Sequence, residues 1–187
     1  MYSFKLNEKV YEFPENWSEV SMRKYIEIAK LEQIKNDLGI DELYTVKLIE
    51  LLCNAEEYEL DDMDFGLLNI LIEKLRFVYE DPKMDKLDCI EFNGINYVYP
   101  VDMNALKLGE YISIKTYLEK GQFEGLPYVI AILLRPGKKV YNAEKGCDEW
   151  IQEKFDVKNL EWRKELFMDL TVDKFLNVIS FFLIGKN

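Results

Sequence analysis

Eighteen residues from Tyr11 to Ile28, YEFPENWSEVSMRKYIEI, are echoed eighty-six residues later by Tyr97 to Ile114, YVYPVDMNALKLGEYISI, and this echo constrains the fold more than any other feature. Without a gap, Tyr11, Pro14, Tyr25, Ile26 and Ile28 fall on Tyr97, Pro100, Tyr111, Ile112 and Ile114. Upstream, Leu6-Asn7-Glu8 lies over Phe92-Asn93-Gly94. Asn-Gly between alternating apolar residues signals a tight hairpin, because both central turn positions need positive φ. A proline then ends the ladder, having no N–H to donate. Each segment thus predicts a β-hairpin, a proline stop and a helix, with Ser18 and Asn104 as the expected N-caps.

The rest of the chain extends the pattern. Val20 to Leu38 carries apolar residues at helical spacing, with Gly39 as the expected stop. Asp41 to about Asn54 is nearly apolar and predicts a central, buried helix. A third helix from Phe65 to about Glu80 ends at Asp81-Pro82. In the second half, Tyr128 to Leu134 (YVIAILL) answers Tyr44 to Glu50, with Gly121 and Gly125 bracketing a turn and Pro127 at a helix start. FLNVI at Phe175 to Ile179 answers LLNIL at Leu67 to Leu71. The expected fold is therefore α+β and mostly helical, an internal duplication of a hairpin plus three helices over 1–84 and 85–187. A helical insertion over about 138–165 distinguishes the second copy, and the two are expected to pack as one compact body.

Composition narrows the function. Thirty-five acidic against twenty-four basic residues give a formal charge of −11 in 187 residues, so free nucleic acid and anionic membrane surfaces are disfavoured as partners. The start MYSFKLNEKVYEF lacks the apolar core of a signal peptide, and no stretch is long and apolar enough to span a bilayer. Cys53, Cys89 and Cys147 are far apart, without metal-binding spacing. There is no histidine, which removes the commonest general base and metal ligand together. Nucleotide-binding and hydrolase motifs are also missing. Carboxylate chemistry with Mg²⁺ at Asp61, Asp62 and Asp64 is the enzymatic reading that survives. The same acids end where an apolar period begins, so they read better as a solvated connector that caps the third helix. No enzyme activity and no cofactor or metal are expected.

Twelve Tyr, eleven Phe and three Trp are the informative excess, since Tyr and Trp suit surfaces buried against another protein. Trp150, Phe155 and Trp162 lie among charges in the insertion, which the repeat does not need. They are the expected partner-binding anchors, with Arg135, Lys138 and Lys139 around Pro136-Gly137 as a cationic rim. Phe181, Phe182, Leu183 and Ile184 either finish the core or dock into a neighbour.

Pro14-Glu15-Asn16-Trp17-Ser18-Glu19-Val20-Ser21 followed by Tyr25, with the terminal FLNVISFFLIGK, resembles a group of small acidic tailed-bacteriophage proteins of the tail-assembly-chaperone-like or virion structural type. These often begin with a short hairpin, P-x-x-W-x-E-[VIL]-[ST] and an aromatic-bearing helix. The likeness covers about the first thirty and last fifteen residues, and the second copy departs from it with Met103 in place of the tryptophan. It implies a non-enzymatic assembly factor or neck or tail ring subunit, with virion or assembly proteins as partners and the virion or host cytoplasm as location; an oligomer fits either role. The alternative is an acidic host-directed inhibitor or nucleic-acid mimic whose charge is its working feature.

Overall fold

The computed structural model describes residues 1–35, 41–83, 87–100 and 103–184. The fold is mixed α+β and mostly helical, with two small antiparallel sheets. The chain divides into two compact units, 1–83 and 84–187, one residue from the expected boundary.

Unit one opens with β1 (Tyr2–Leu6) and β2 (Lys9–Phe13), paired from Tyr2↔Phe13 to Leu6↔Lys9. Asn7 and Glu8 make the turn at φ 47° and 67°, a mirror-image geometry whose twist matches the strands. Phe4 stacks on Tyr11 with ring centroids 5.3 Å apart, which fixes the buried face of the hairpin. Beyond Pro14, a 3-10 turn at Trp17–Glu19 precedes α1 (Met22–Gln33). This turn corrects the expected caps: Ser18 lies inside it, Asn16 caps it, and Ser21 caps α1 by accepting the Lys24 N–H. Then come α2 (Asp41–Cys53) and α3 (Phe65–Lys74), the latter running into a 3-10 turn at Leu75–Tyr79. Leu48, Ile49 and Leu52 of α2 are fully buried, as a nearly apolar helix requires. Trp17 meets Tyr25 and Phe77 edge-on at 5.9 and 5.2 Å, and its indole N–H donates to the Glu80 carbonyl.

Unit two begins with β3 (Ile90–Phe92) and β4 (Ile95–Val98) around a turn at Asn93 and Gly94, φ 50° and 74°. The pairs Ile90↔Tyr97, Glu91↔Asn96 and Phe92↔Ile95 are those of Phe4↔Tyr11, Lys5↔Val10 and Leu6↔Lys9 moved along by eighty-six residues. A 3-10 turn at Met103–Ala105, which contains Asn104, precedes α4 (Leu108–Leu118), so Asn104 does not cap the helix. Next is α5 (Gln122–Leu133), with Ile130, Ile132 and Leu133 fully buried. Pro127 lies inside α5 rather than at its start, and Gly125 within its first turns rather than beside a turn. The helix begins early because Gly121 takes φ +131° and Gly125 lets the backbones close: a Cβ there would sit 2.2 Å from the Tyr117 carbonyl oxygen.

The largest correction follows α5. The expected helical insertion is half strand: β5 (Arg135–Asn142) and β6 (Cys147–Gln152) form a hairpin that joins β4 through Tyr97↔Pro136 and Val98↔Arg135, giving a sheet of order β3-β4-β5-β6. Only its end is helical, a 3-10 turn at Val157–Asn159 and α6 (Leu160–Phe167). The chain closes with α7 (Val172–Ile184), and α5 packs against α4, α6 and α7. Phe167 and Phe175 are fully buried, and Tyr97 meets Phe167 edge-on at 5.0 Å. The expected stop at Gly39 lies outside the described residues, as do the side chains of Phe181, Phe182, Leu183 and Ile184.

Candidate interaction surface

The β5–β6 hairpin is an arm with a polar root and an aromatic shaft. At the root, Arg135 enters the interior, 4% exposed, and its Nη1 lies 2.6 Å from Glu110 Oε1. Glu110 Oε2 accepts the Lys107 backbone N–H at 2.9 Å, so one carboxylate both holds the start of α4 and receives the arm. Arg135 Nη2 also donates to the Gln152 side-chain oxygen, and the Gln152 amide donates to the Val98 and Leu133 carbonyls. The two ends of the arm are thus tied to each other, to β4 and to the end of α5. Gly137 lets β5 approach β4, for a Cβ there would stand 2.2 Å from Val98 Cγ2.

Arg135 is therefore a buried structural cation and not the expected rim charge. A guanidinium beside a turn-forming Pro-Gly reads as exposed, whereas here Pro136 and Gly137 sit in the strand itself. Lys138 and Lys139 are exposed, as expected. Lys139 pairs across the strands with Trp150, and its ammonium lies 5.4 Å from the indole centroid.

Side chains alternate between the faces of a strand. The register places Lys139, Tyr141, Asp148 and Trp150 on one face and Lys138, Val140, Glu149 and Ile151 on the other. Tyr141 is 65% exposed and Ile151 50%, so both faces present apolar surface to solvent. The tip is tightly built. Asn142 Oδ1 accepts the backbone N–H groups of Glu144 and Lys145, Gly146 turns at φ +66°, and Lys145 pairs with Glu149 at 2.6 Å. The Asn142 amide, and then Lys145, hold the Glu149 carboxyl below its usual range.

The other expected anchors lie elsewhere. Phe155 is half-buried in the stretch after the arm. Trp162 sits on α6, 48% exposed, its indole N–H donating to Asn159 Oδ1 at 3.0 Å and its ring 5.2 Å from the Arg163 guanidinium carbon. Arg163 is itself buried and reaches Glu153 at 2.9 Å. Among the described residues no ring contact joins Trp150 to Phe155 or Trp162. Tyr141, Val140 and Ile151 were not singled out from the sequence. Their signal is the pair of β-prone steps Val140-Tyr141 and Trp150-Ile151 on either side of an Asn142-to-Gly146 turn.

In unit one, Asp64 caps α3 by accepting the Leu67 N–H at 2.8 Å, Asp62 accepts from the Asn7 amide at 2.8 Å, and Asp61 is exposed. Among the described residues no group of three or more His, Cys, Asp or Glu side chains is placed to hold a metal ion. Nor is any helix among them long and apolar enough to cross a membrane. No protein-family model matches the chain, and no curated protein or solved structure matches it.

Proposed function

We propose that this chain is a non-enzymatic protein–protein interaction component of a tailed bacteriophage, an assembly factor or a neck or tail ring subunit, and that it engages its virion partner through the β5–β6 arm. The arm is the observation that carries the reading. The ribbon keeps Tyr141 and Ile151 exposed and adds no fully buried apolar side chain to the core beyond its root, yet it holds them, with half-buried Trp150, in a fixed register on a root of buried charge. Lys138 and Lys139 beside them suit an acidic partner surface and set the approach more than the affinity. The phage setting comes from the P-x-x-W-x-E-V-S resemblance at Pro14 to Ser21. The duplication is part of the same proposal: the shared hairpin register and the succession of hairpin, 3-10 turn and helix in both units support one ancestral unit copied in tandem, with the arm added to the second copy.

The test combines location and surface. In the encoding phage, purified virions should carry the chain in fixed ratio if it is a ring subunit, and immature tails or capsids should carry it if it is an assembly factor. Absence from both sinks the proposal. A Tyr141→Ala/Trp150→Ala variant with an unchanged circular dichroism spectrum should lose the particle component that the parent retains. Undiminished retention moves the contact away from the arm.

A further inference from the structure

Two other apolar surfaces, one on each unit, remain unused by the arm. On α4, Leu108, Tyr111, Ile112 and Leu118 follow at helical spacing around Lys115, and Leu108 and Ile112 are 74% and 55% exposed. Their counterparts eighty-six residues earlier behave differently. Met22 and Ile26 of α1 are 0% and 6% exposed, and Tyr25, the counterpart of Tyr111, is covered by Trp17 with Phe77 behind it. The same kind of helix face is therefore closed over by an aromatic clasp in unit one and open in unit two. On unit one, Val46, Ile49, Leu60, Met63 and Leu68 line a groove of about 210 Å³, with Asp61 on its rim and Phe65 at its mouth, 82% exposed. That volume is below the roughly 300–1,000 Å³ of small-molecule pockets, and the lining offers one carboxylate as its polar group. It suits aliphatic side chains of a protein better than a metabolite.

We propose that these two surfaces bind each other between copies of the chain, head to tail. The groove of one copy takes Leu108 and Ile112 of the next, and the projecting Phe65 lies on Tyr111, where the clasp of unit one places Trp17 on Tyr25. Charge points the same way. The groove side carries Asp61, Asp62 and Asp64, while the α4 face carries Lys107 and Lys115, with Glu119 opposing only at its far end. Because the surfaces differ, the contact is heterologous, and repetition gives a closed ring or an open fibre according to the rotation per copy. The proposal does not depend on the arm or on a phage setting.

Sedimentation velocity of the full chain over a wide concentration range tests it. The parent should form species larger than a monomer. Ile112→Glu and Phe65→Glu should each stay monomeric at concentrations at least tenfold above the parent's onset. Mixed in equal amounts they should form a one-to-one dimer and stop, since each retains the surface the other has lost. Both positions are exposed, and circular dichroism checks the fold; if either variant misfolds, Leu108→Glu and Met63→Glu serve in the same scheme, since their two altered surfaces carry like charge and do not restore each other. A parent that stays monomeric throughout, a single variant that assembles like the parent, or a mixture that stays monomeric overturns the proposal.

Discussion

Arg135 and Glu110 are both almost completely buried, and such a pair is costly to desolvate, so its members are tolerated only together. Replacing Arg135 with Ala leaves the Glu110 carboxyl buried without its cation, with the Lys107 N–H as its remaining partner among the described residues. The expected loss is about 3–5 kcal/mol in denaturant unfolding, whereas Lys138→Ala or Lys139→Ala should change stability by no more than about 0.5 kcal/mol. An Arg135→Ala midpoint close to the parent's would place the guanidinium in solvent after all. This residue marks a limit of sequence reading. Its type and its Pro-Gly neighbours were visible, but its partner lies twenty-five residues earlier on α4, where Glu110 looks like any exposed helix glutamate. Asp64 was legible because its partner is local, the N–H three residues on. Cys53 follows from burial alone. It ends α2 inside unit one, and desolvation pushes its thiol up to about 12, only partly opposed by Lys24. At pH 8 a maleimide or disulfide reagent should therefore modify exposed Cys147 and leave Cys53 untouched until denaturant is added. Modification of Cys53 at a rate comparable to Cys147 would contradict its burial.

At the scale of elements, both first hairpins were legible because the turn chemistry and the alternation agree, and α2 and α5 because nearly apolar helices have nowhere to go but inward. The arm was misread for a physical reason. Trp150 and Phe155 among charges read as composition, and a strand exposed on both faces shows no clean apolar side to betray its period. The first hairpin is tied down by charges at its margins. Lys9 reaches Glu59, Lys74 reaches Glu15, and the N-terminal ammonium lies 3.3 Å from Glu15 and 2.7 Å from Glu19. Lys9 holds the Glu59 carboxyl below its usual range, and Lys74 followed by the N-terminus does the same for Glu15. A carboxyl whose folded pKa is depressed favours the folded state above its unfolded pKa, and that support is lost as pH falls through the folded value. Melting temperature should accordingly fall below about pH 4.3, the ordinary glutamate value, and a Glu15→Gln/Glu59→Gln variant should show a smaller fall. The pairs are exposed, so the effect is modest and weakens in salt. An identical pH profile for parent and variant would show that these ties contribute nothing.

At the scale of the whole molecule, each unit contributes its own buried residues: Phe13, Leu48, Ile49, Leu52 and Leu71 in one, Tyr97, Ile130, Leu133, Phe167 and Phe175 in the other. The sequence predicts that the two pack as one compact body, and whether the stability of one depends on the other is read from the response of each to damage. Leu133→Ala opens a cavity in the middle of unit two and should cost about 2–5 kcal/mol there. If stability is held unit by unit, native-state hydrogen exchange should show the α5 amides losing protection by an amount matching that cost, while the α2 amides keep theirs. Leu48→Ala should produce the reverse pattern. A shared core predicts otherwise, because any opening that exposes α5 would expose α2 with it, and both sets of amides would report the same loss in both variants. The crossed pair of substitutions decides the matter better than either alone, since a general weakening of the chain would lower protection everywhere regardless of which leucine was cut.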